Sequence, residues 1–334
     1  MVHSAVDPPA YDVIIVGGGL AGLSAARELL KREPSLKLLV LEAKGRVGGR
    51  TLTVPMKAAG ASKTHVDLGA TWVCNDQKNI CNLIKDFNLE TSTQHCEGKA
   101  WCQFGVSKPR CYRSSNIIRQ VPLREAFDVW WNIKKMDRLA KKIDVNNLFG
   151  WNYAVELDEI SVAQWIRQNT WGRSAQELLE IATRALYGVE PNRINMLYHL
   201  TVCKSAGSVY KLLIPDEDGP QALRIEGGAN QISSRLVEEV GADRVELHRA
   251  VSRIEVDEAN GVTRVHYHST DDSDNKGIYV CSQVISAIPP NQCARIDFLP
   301  ALPYLKRRAF EAGIPGNAIK FIITYETAFW REEG

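Results

Sequence analysis

The sequence predicts a two-domain α/β protein, in which a parallel-sheet domain is interleaved with a second, α+β domain. Three observations predict it. A buried strand, a helix and another buried strand follow one another between Tyr11 and Leu41, and a glycine-rich turn joins the first strand to the helix. Beyond Asn75 the chain changes to helical patterns and gathers six of its eight tryptophans, then returns to strands after Glu226. A strand–helix–strand unit of this length places its strands in parallel.

Taken in order, Tyr11–Val16 (Tyr-Asp-Val-Ile-Ile-Val) reads as a fully buried strand: short, β-branched and ended by glycines. Leu20–Lys31 reads as a helix with Leu20, Leu23 and Leu30 near one face, and Leu36–Leu41 as the second strand. Val162–Gln168 and Ala175–Leu186 carry helical patterns in the tryptophan-rich region. Gly227-Gly228 opens a further helix, Asn230–Val240, and strands follow at Arg244–Leu247, Val251–Val256 and Val262–His268. Asn260-Gly261 between the last two is a hairpin signal. Ile278–Ala287 is another strand, ended by Pro289-Pro290, and Ala318–Tyr325 reads as one more. This pattern assigns 11–73 and 225–290 to the parallel-sheet domain, 74–224 and 291–334 to the second domain, and residues 1–10 to a disordered leader.

With 334 residues, 45% hydrophobic and 24% charged, the chain can bury a core for each domain. The net charge of +2 gives no reason to expect nucleic acid or an anionic membrane surface as partner. No segment is apolar for the length of a bilayer span, and the N-terminus lacks the pattern of a signal peptide. The eight cysteines form no Cys-x-x-Cys pair and no zinc spacing, so they are read as reduced thiols in an intracellular protein. The histidines show no metal or triad arrangement, and there is neither a nucleophile elbow nor a P-loop.

Gly17, Gly19 and Gly22 form G-x-G-x-x-G at the strand-to-helix junction. The first glycine makes the tight turn, the second lets backbone N–H groups approach a pyrophosphate, and the third lets helix and strand pack closely. Unpaired N–H groups at the helix start, around Leu20 and Ala21, offer partial positive charge to phosphates. Glu42, beside Ala43, ends the second strand where a carboxylate accepts from ribose hydroxyls; a solvated strand end is the plain alternative for a lone glutamate. Arg46-Val47-Gly48-Gly49-Arg50-Thr51 follows directly, and its two arginines around a Gly-Gly turn bring fixed charge and backbone donors toward a phosphate-bearing ligand. The Rossmann-like fingerprint of a nicotinamide dehydrogenase has no use for that second motif.

The run Val40–Thr51 resembles the FAD-binding signature of the flavin amine oxidases, which include monoamine, polyamine and L-amino-acid oxidases. Asp67-Leu68-Gly69-Ala70-Thr71-Trp72 resembles the family's next cofactor segment, beside the flavin ring. Ile225–Gln231 matches its Gly-Gly turn before a helix, and Val251 falls where a backbone group meets the adenine. Val284–Pro290 and Ile319–Arg331 are similar to the monoamine oxidase branch. The resemblance implies FAD as cofactor and, as cofactor-binding residues, Gly17, Gly19, Leu20, Ala21, Gly22, Glu42, Ala43, Arg46, Gly49, Arg50, Gly69, Ala70, Thr71, Trp72 and Val251. It implies oxidation of a primary or secondary amine to an imine and then an aldehyde, with oxygen reduced to hydrogen peroxide.

Within that resemblance Lys320 matches the family lysine near flavin N5 and is the catalytic candidate; a strand-end lysine facing solvent is the plain alternative. Trp72 and Leu213 match residues bordering the substrate cavity, with Leu212, Leu186 and Tyr187 nearby; core packing is the alternative for each. The family pattern continues beyond Gly334, so a C-terminally shortened form is expected, without the family's aromatic cage, closing FAD segment, covalent cysteine or tail anchor. A mitochondrial outer-membrane location is implied only where such an anchor follows, and a homodimer is a further expectation. Alternatives stay open: a non-catalytic fragment binding at most FAD or its ADP portion, or a polyamine, L-amino-acid or protoporphyrinogen oxidase.

Overall fold

The structure is a computed structural model and describes residues 10–58, 61–95, 100–103, 108–112, 122–213, 219–327 and 329. Its main sheet has seven strands in the order Val245–Glu246, Leu38–Leu41, Tyr11–Val16, Lys276–Ser286, Val262–Ser269, Arg249–Asp257 and Asp297–Leu299. Tyr11–Val16 lies between two parallel neighbours, Leu38–Leu41 and Lys276–Ser286. Ile14 and Ile15 are wholly buried, as a β-branched run covered on both faces must be. Val13 and Ile15 face the helix Leu20–Arg32 through Ala26 and Leu29, while Ile14 faces Val265 and Cys281 on the other side. The two antiparallel strands beyond are joined through Asn260-Gly261, with Gly261 at φ +64°.

A second core is built by the helices Leu123–Lys141, Val162–Asn169, Arg173–Tyr187 and Met196–Ala206 around Trp165, Leu157, Met196 and Leu200. Local chemistry sets the helix ends. Ser161 accepts from the Gln164 amide and Asn195 from the Tyr198 amide, two side-chain N-caps. Gly188 ends its helix in the left-handed region at φ +65°. Asp128, fully buried, accepts from the amides of Trp171 and Gly172, and Glu125 from those of Ser174 and Ala175. Two acids of one helix thereby supply the missing acceptors at the start of the helix Arg173–Tyr187.

Several expectations need correction. The second strand begins at Leu38 rather than Leu36, because the Leu36 amide closes a turn onto Glu33 and the Lys37 amide donates to the Asp12 carboxylate. Arg244–Leu247 contracts to Val245–Glu246 behind a 3-10 turn at Ala242–Arg244. Ala318–Tyr325 forms no ladder among the described residues, and Ile319 and Phe321 are each 82% exposed. An alternating pattern makes a strand only where a partner offers its backbone. The main sheet also takes in Asp297–Leu299, parallel to Arg253–Glu255, beyond the expected edge at residue 290. Of the tail motif, Ala328, Trp330 and Arg331 lie outside the described residues, as does the leader's 1–9 portion.

Candidate cofactor and active site

The carboxyl ends of the central parallel strands converge on the glycine turn. The Gly17 amide donates to Leu41 O and the Ala287 amide to Val16 O, each at 2.8 Å. The three glycines of the fingerprint answer to different constraints. Gly17 stands at φ +111°, which a side chain resists. A Cβ on Gly22 would lie 1.9 Å from Gly17 O, so helix and turn meet backbone to backbone. A Cβ on Gly19 would meet nothing closer than Gly49 Cα at 3.9 Å. The protein itself does not require glycine there; the constraint must come from a group approaching from outside, which is what a pyrophosphate does.

The donors fit such a group. The helix Leu20–Arg32 starts without a side-chain cap and without an acid in its first turn, so its free N–H groups, at Leu20 and Ala21, point into the open turn. Glu42 is buried and anchored: its carboxylate accepts from Gly18 N at 2.8 Å and Lys44 N at 2.9 Å, which fixes its place while lone pairs remain for ribose hydroxyls. Ala43, next to it, is exposed and its carbonyl accepts from Thr270. Val251 lies half-buried at the bulge of its strand, packed among Ile14, Val265 and Val284.

The second glycine turn docks on the first. The Gly48 amide donates to Gly18 O at 2.9 Å, and Gly48 and Gly49 both have positive φ. Arg46 departs from its expected use. Its guanidinium donates to the carbonyls of Val47, Gly49 and Thr51 at 2.9–3.0 Å, so its charge reaches the site while its N–H groups hold the loop together. A turn that folds three carbonyls inward must satisfy them. The Arg50 side chain is exposed.

The third turn lies alongside. The Ala70 amide donates to Arg50 O at 3.1 Å, and a Cβ on Gly69 would fall 2.2 Å from that same oxygen. Onto this turn comes Lys320, from 250 residues further along the chain. Its ammonium donates to Asp67 O and Gly69 O at 2.8 Å and to Thr71 Oγ1 at 2.7 Å. Three protons find three acceptors. Trp72 follows, half-buried, with the Arg224 guanidinium 5.7 Å from its ring centroid. A cavity of about 680 Å³ runs from Leu20 and Thr51 past Ala70, Thr71 and Trp72 to Ile80 and Ile225. Lys320, Gly69, Thr71 and Trp72 are thus brought together.

Leu213 is placed differently. With Leu212 it packs on the helical core, and it lines a gap of only about 10 Å³ with Leu186 and His199. Tyr187 donates or accepts a 2.9 Å hydrogen bond at His199 Nδ1. Burial holds His199 neutral, its pKa pushed down to about 4, and pushes the Tyr187 hydroxyl and the Cys203 thiol up, the latter to about 12. Sequence reasoning missed Asp67 as an organising residue: its carboxylate accepts from the Ala229 amide at 3.0 Å and so supports the start of the helix Asn230–Val240. Its position one residue before Leu68-Gly69 was the available signal. No group of metal-ligating side chains and no helix long and apolar enough to cross a membrane occurs among the described residues.

Three interlocked glycine turns at the carboxyl ends of a parallel sheet, with an open helix start and a ribose-ready glutamate, define a Rossmann-like FAD-binding oxidoreductase fold. Within that class the chain belongs to the flavin containing amine oxidoreductase family, whose model matches residues 20–334. It is 29% identical to amine oxidase [flavin-containing] A of Canis lupus familiaris over 99% of this chain and 59% of that protein. Against the amine oxidase [flavin-containing] of Danio rerio the identity is 30%, over 97% of this chain and 59% of that protein. Among solved structures, putrescine oxidase bound to putrescine superposes with a TM-score of 0.80 at 27% identity, covering 97% of this chain and 68% of that one. Cyclohexylamine oxidase from Brevibacterium oxydans gives 0.78 at 25% identity, covering 91% and 63%. The chain therefore spans about six-tenths of the length of these curated relatives.

Proposed function

We propose that the protein oxidises a primary or secondary amine to the imine, which water converts to the aldehyde, with transfer of the electrons to oxygen and formation of hydrogen peroxide. The observation that carries this reading is the seating of the Lys320 ammonium on the Gly69–Thr71 turn, at the far end of a cradle whose near end is Glu42. FAD, when bound, supplies the two-electron acceptor. Glu42, the Gly17–Gly22 turn and the start of the helix Leu20–Arg32 hold its nucleotide half, and Gly69, Ala70, Thr71 and Trp72 border the other half. Lys320 holds a fixed positive charge at that border, where it favours negative charge developing as oxygen is reduced. Trp72 and the apolar cavity wall exclude water around the amine.

Substrate class is read from the same cavity. Its wall is mainly apolar, with Trp72, Val73, Ile80 and Ile225, which suits the hydrocarbon part of an amine, while Lys78 on the rim keeps a carboxylate-bearing amino acid among the substrates to be tested. Asp76 also borders it but is ion-paired with Lys211, so it offers little to the second ammonium of a diamine. A homodimer is part of the proposal, and light scattering during gel filtration tests it. The first experiment is to mix the purified chain with FAD, pass it through gel filtration and record the visible spectrum. A retained flavin spectrum that bleaches anaerobically with an aromatic monoamine supports the reading. Flavin retained but never reduced by monoamine, putrescine or amino acid would leave a cofactor-binding protein without oxidase activity. A colourless protein would refute FAD binding by this chain.

A further inference from the structure

The segment that carries Lys320 is held at few points. Residues 314–325 join no sheet, and Ile319 and Phe321 are almost wholly exposed, so neither a ladder nor apolar burial fixes its course. At one point the Asn317 amide donates to Gly188 O at 2.8 Å. Three residues on, the Lys320 ammonium ends on Asp67, Gly69 and Thr71. The first contact is unusually close. A Cβ on Gly316 would lie 2.1 Å from Tyr187 O, and a Cβ on Gly188 would lie 3.2 Å from Asn317 O. The backbones touch with no side chain between them.

The surface they touch is tied into the helical core. Gly188 closes the helix Arg173–Tyr187 in a left-handed conformation. Tyr187 is fixed through its hydroxyl to buried His199 and by edge-on packing of the two rings, with centroids 5.7 Å apart. A lysine side chain has four rotatable bonds, and ordering it is costly unless its backbone is already in place. The backbone contact at Gly188 lies only three residues away and supplies that placement.

We propose that the Gly188–Gly316–Asn317 junction is a positioning clasp for Lys320, through which the helical core sets where the ammonium meets the Gly69–Thr71 turn. The catalytic consequence rests on the reading of Lys320 given above; the clasp itself does not. Two readouts separate them in the full chain. The first is hydrogen–deuterium exchange without added cofactor. Gly316→Ala, and Asn317→Pro, which removes the donor without adding bulk at Gly316, should raise exchange in peptides covering 314–323. They should also raise it at 67–71, where the Leu68, Gly69 and Ala70 amides bond to Leu52 and Arg50. Gly313→Ala, whose Cβ would meet nothing closer than Phe310 O at 3.4 Å, should change neither.

The second readout is stopped-flow reoxidation of the FAD-loaded protein. Each clasp variant should slow reoxidation by the same factor as Lys320→Met and add nothing in the Lys320→Met background, as two changes on one pathway do. Unchanged exchange at 67–71 in both clasp variants overturns the proposal, and so does a reoxidation loss that multiplies with that of Lys320→Met. If Lys320→Met leaves reoxidation untouched, the role assigned to Lys320 fails, and the exchange experiment alone decides the clasp.

Discussion

A Cβ at Gly19 meets nothing closer than Gly49 Cα at 3.9 Å, an ordinary contact, and one at Gly22 runs into Gly17 O. Two substitutions in one motif should therefore fail in opposite ways. Gly19→Val should abolish retention of FAD while the melting temperature of the cofactor-free chain stays within a few degrees; stoichiometric flavin in this variant would contradict the cradle. Gly22→Ala should destabilise the cofactor-free fold by at least the 1–3 kcal/mol typical of overpacking, measured by urea unfolding. Lys320 belongs to the same scale. Lys320→Met keeps the stem and removes the charge, so it should slow flavin reoxidation by oxygen roughly tenfold or more, about 1.4 kcal/mol per decade, with much less effect on reduction by amine. Unchanged reoxidation traces would take Lys320 out of this role. Glu42 and the glycines were legible in the sequence because their spacing is itself the signal. Gly188 and Gly316 were not, because what makes them glycines is a contact between segments far apart in the chain. The loop-holding bonds of Arg46 were not legible, since the carbonyls it holds are oriented only once the turn has formed.

At the scale of elements, the helix Met196–Ala206 carries a pH dependence. His199 is buried within it and its pKa is depressed to about 4 from an ordinary 6.5. Between those values the unfolded chain binds a proton that the folded chain refuses, so stability rises with pH through this window, is complete above it and is lost as pH falls toward 4. The full effect is at most roughly 3–4 kcal/mol, at 1.36 kcal/mol per pKa unit. Urea midpoints at pH 7 and pH 5 should differ for the native chain, and the difference should shrink in His199→Gln; an equal difference in both would assign it to other groups. Elements with a strong internal period, Leu20–Arg32 and Asn230–Val240, were readable to within a residue. The hairpin Thr53–Ala58 with Ala61–Asp67 was missed because Pro55 sits within its first strand and neither strand carries a long apolar run. Leu123–Lys141 was missed because Phe127, Trp130 and Trp131, all at least 40% exposed, blur its buried stripe. Ala318–Tyr325 was overread, since alternation reports a capacity to pair and not the presence of a partner.

Across the whole molecule, the helical core around Trp165 and Met196 is separate from the cores that line the sheet. The FAD cradle draws on the sheet and its turns. A ligand stabilises only what must be folded to bind it, by about 2.7 kcal/mol at a hundred times its dissociation constant. Calorimetry should therefore resolve two transitions, of which FAD raises the one belonging to the sheet and leaves the other nearly in place. A single transition moving as a unit would show that the junctions between the two parts, Lys320 on Gly69 and Asn317 on Gly188 among them, are strong enough to couple them. That a helical core lies between the sheet segments was readable from the shift in composition after Asn75. The return of Asp297–Leu299 to the main sheet was not, because three residues carry no period of their own.

The room beside Gly19 also bears on how variation at this position would be noticed. A chain altered there would still fold, stay soluble and escape the quality control that removes damaged proteins. It would accumulate as normal-looking protein without its cofactor, and only an assay that includes FAD, such as the shift of its melting transition on adding the cofactor, would reveal the defect.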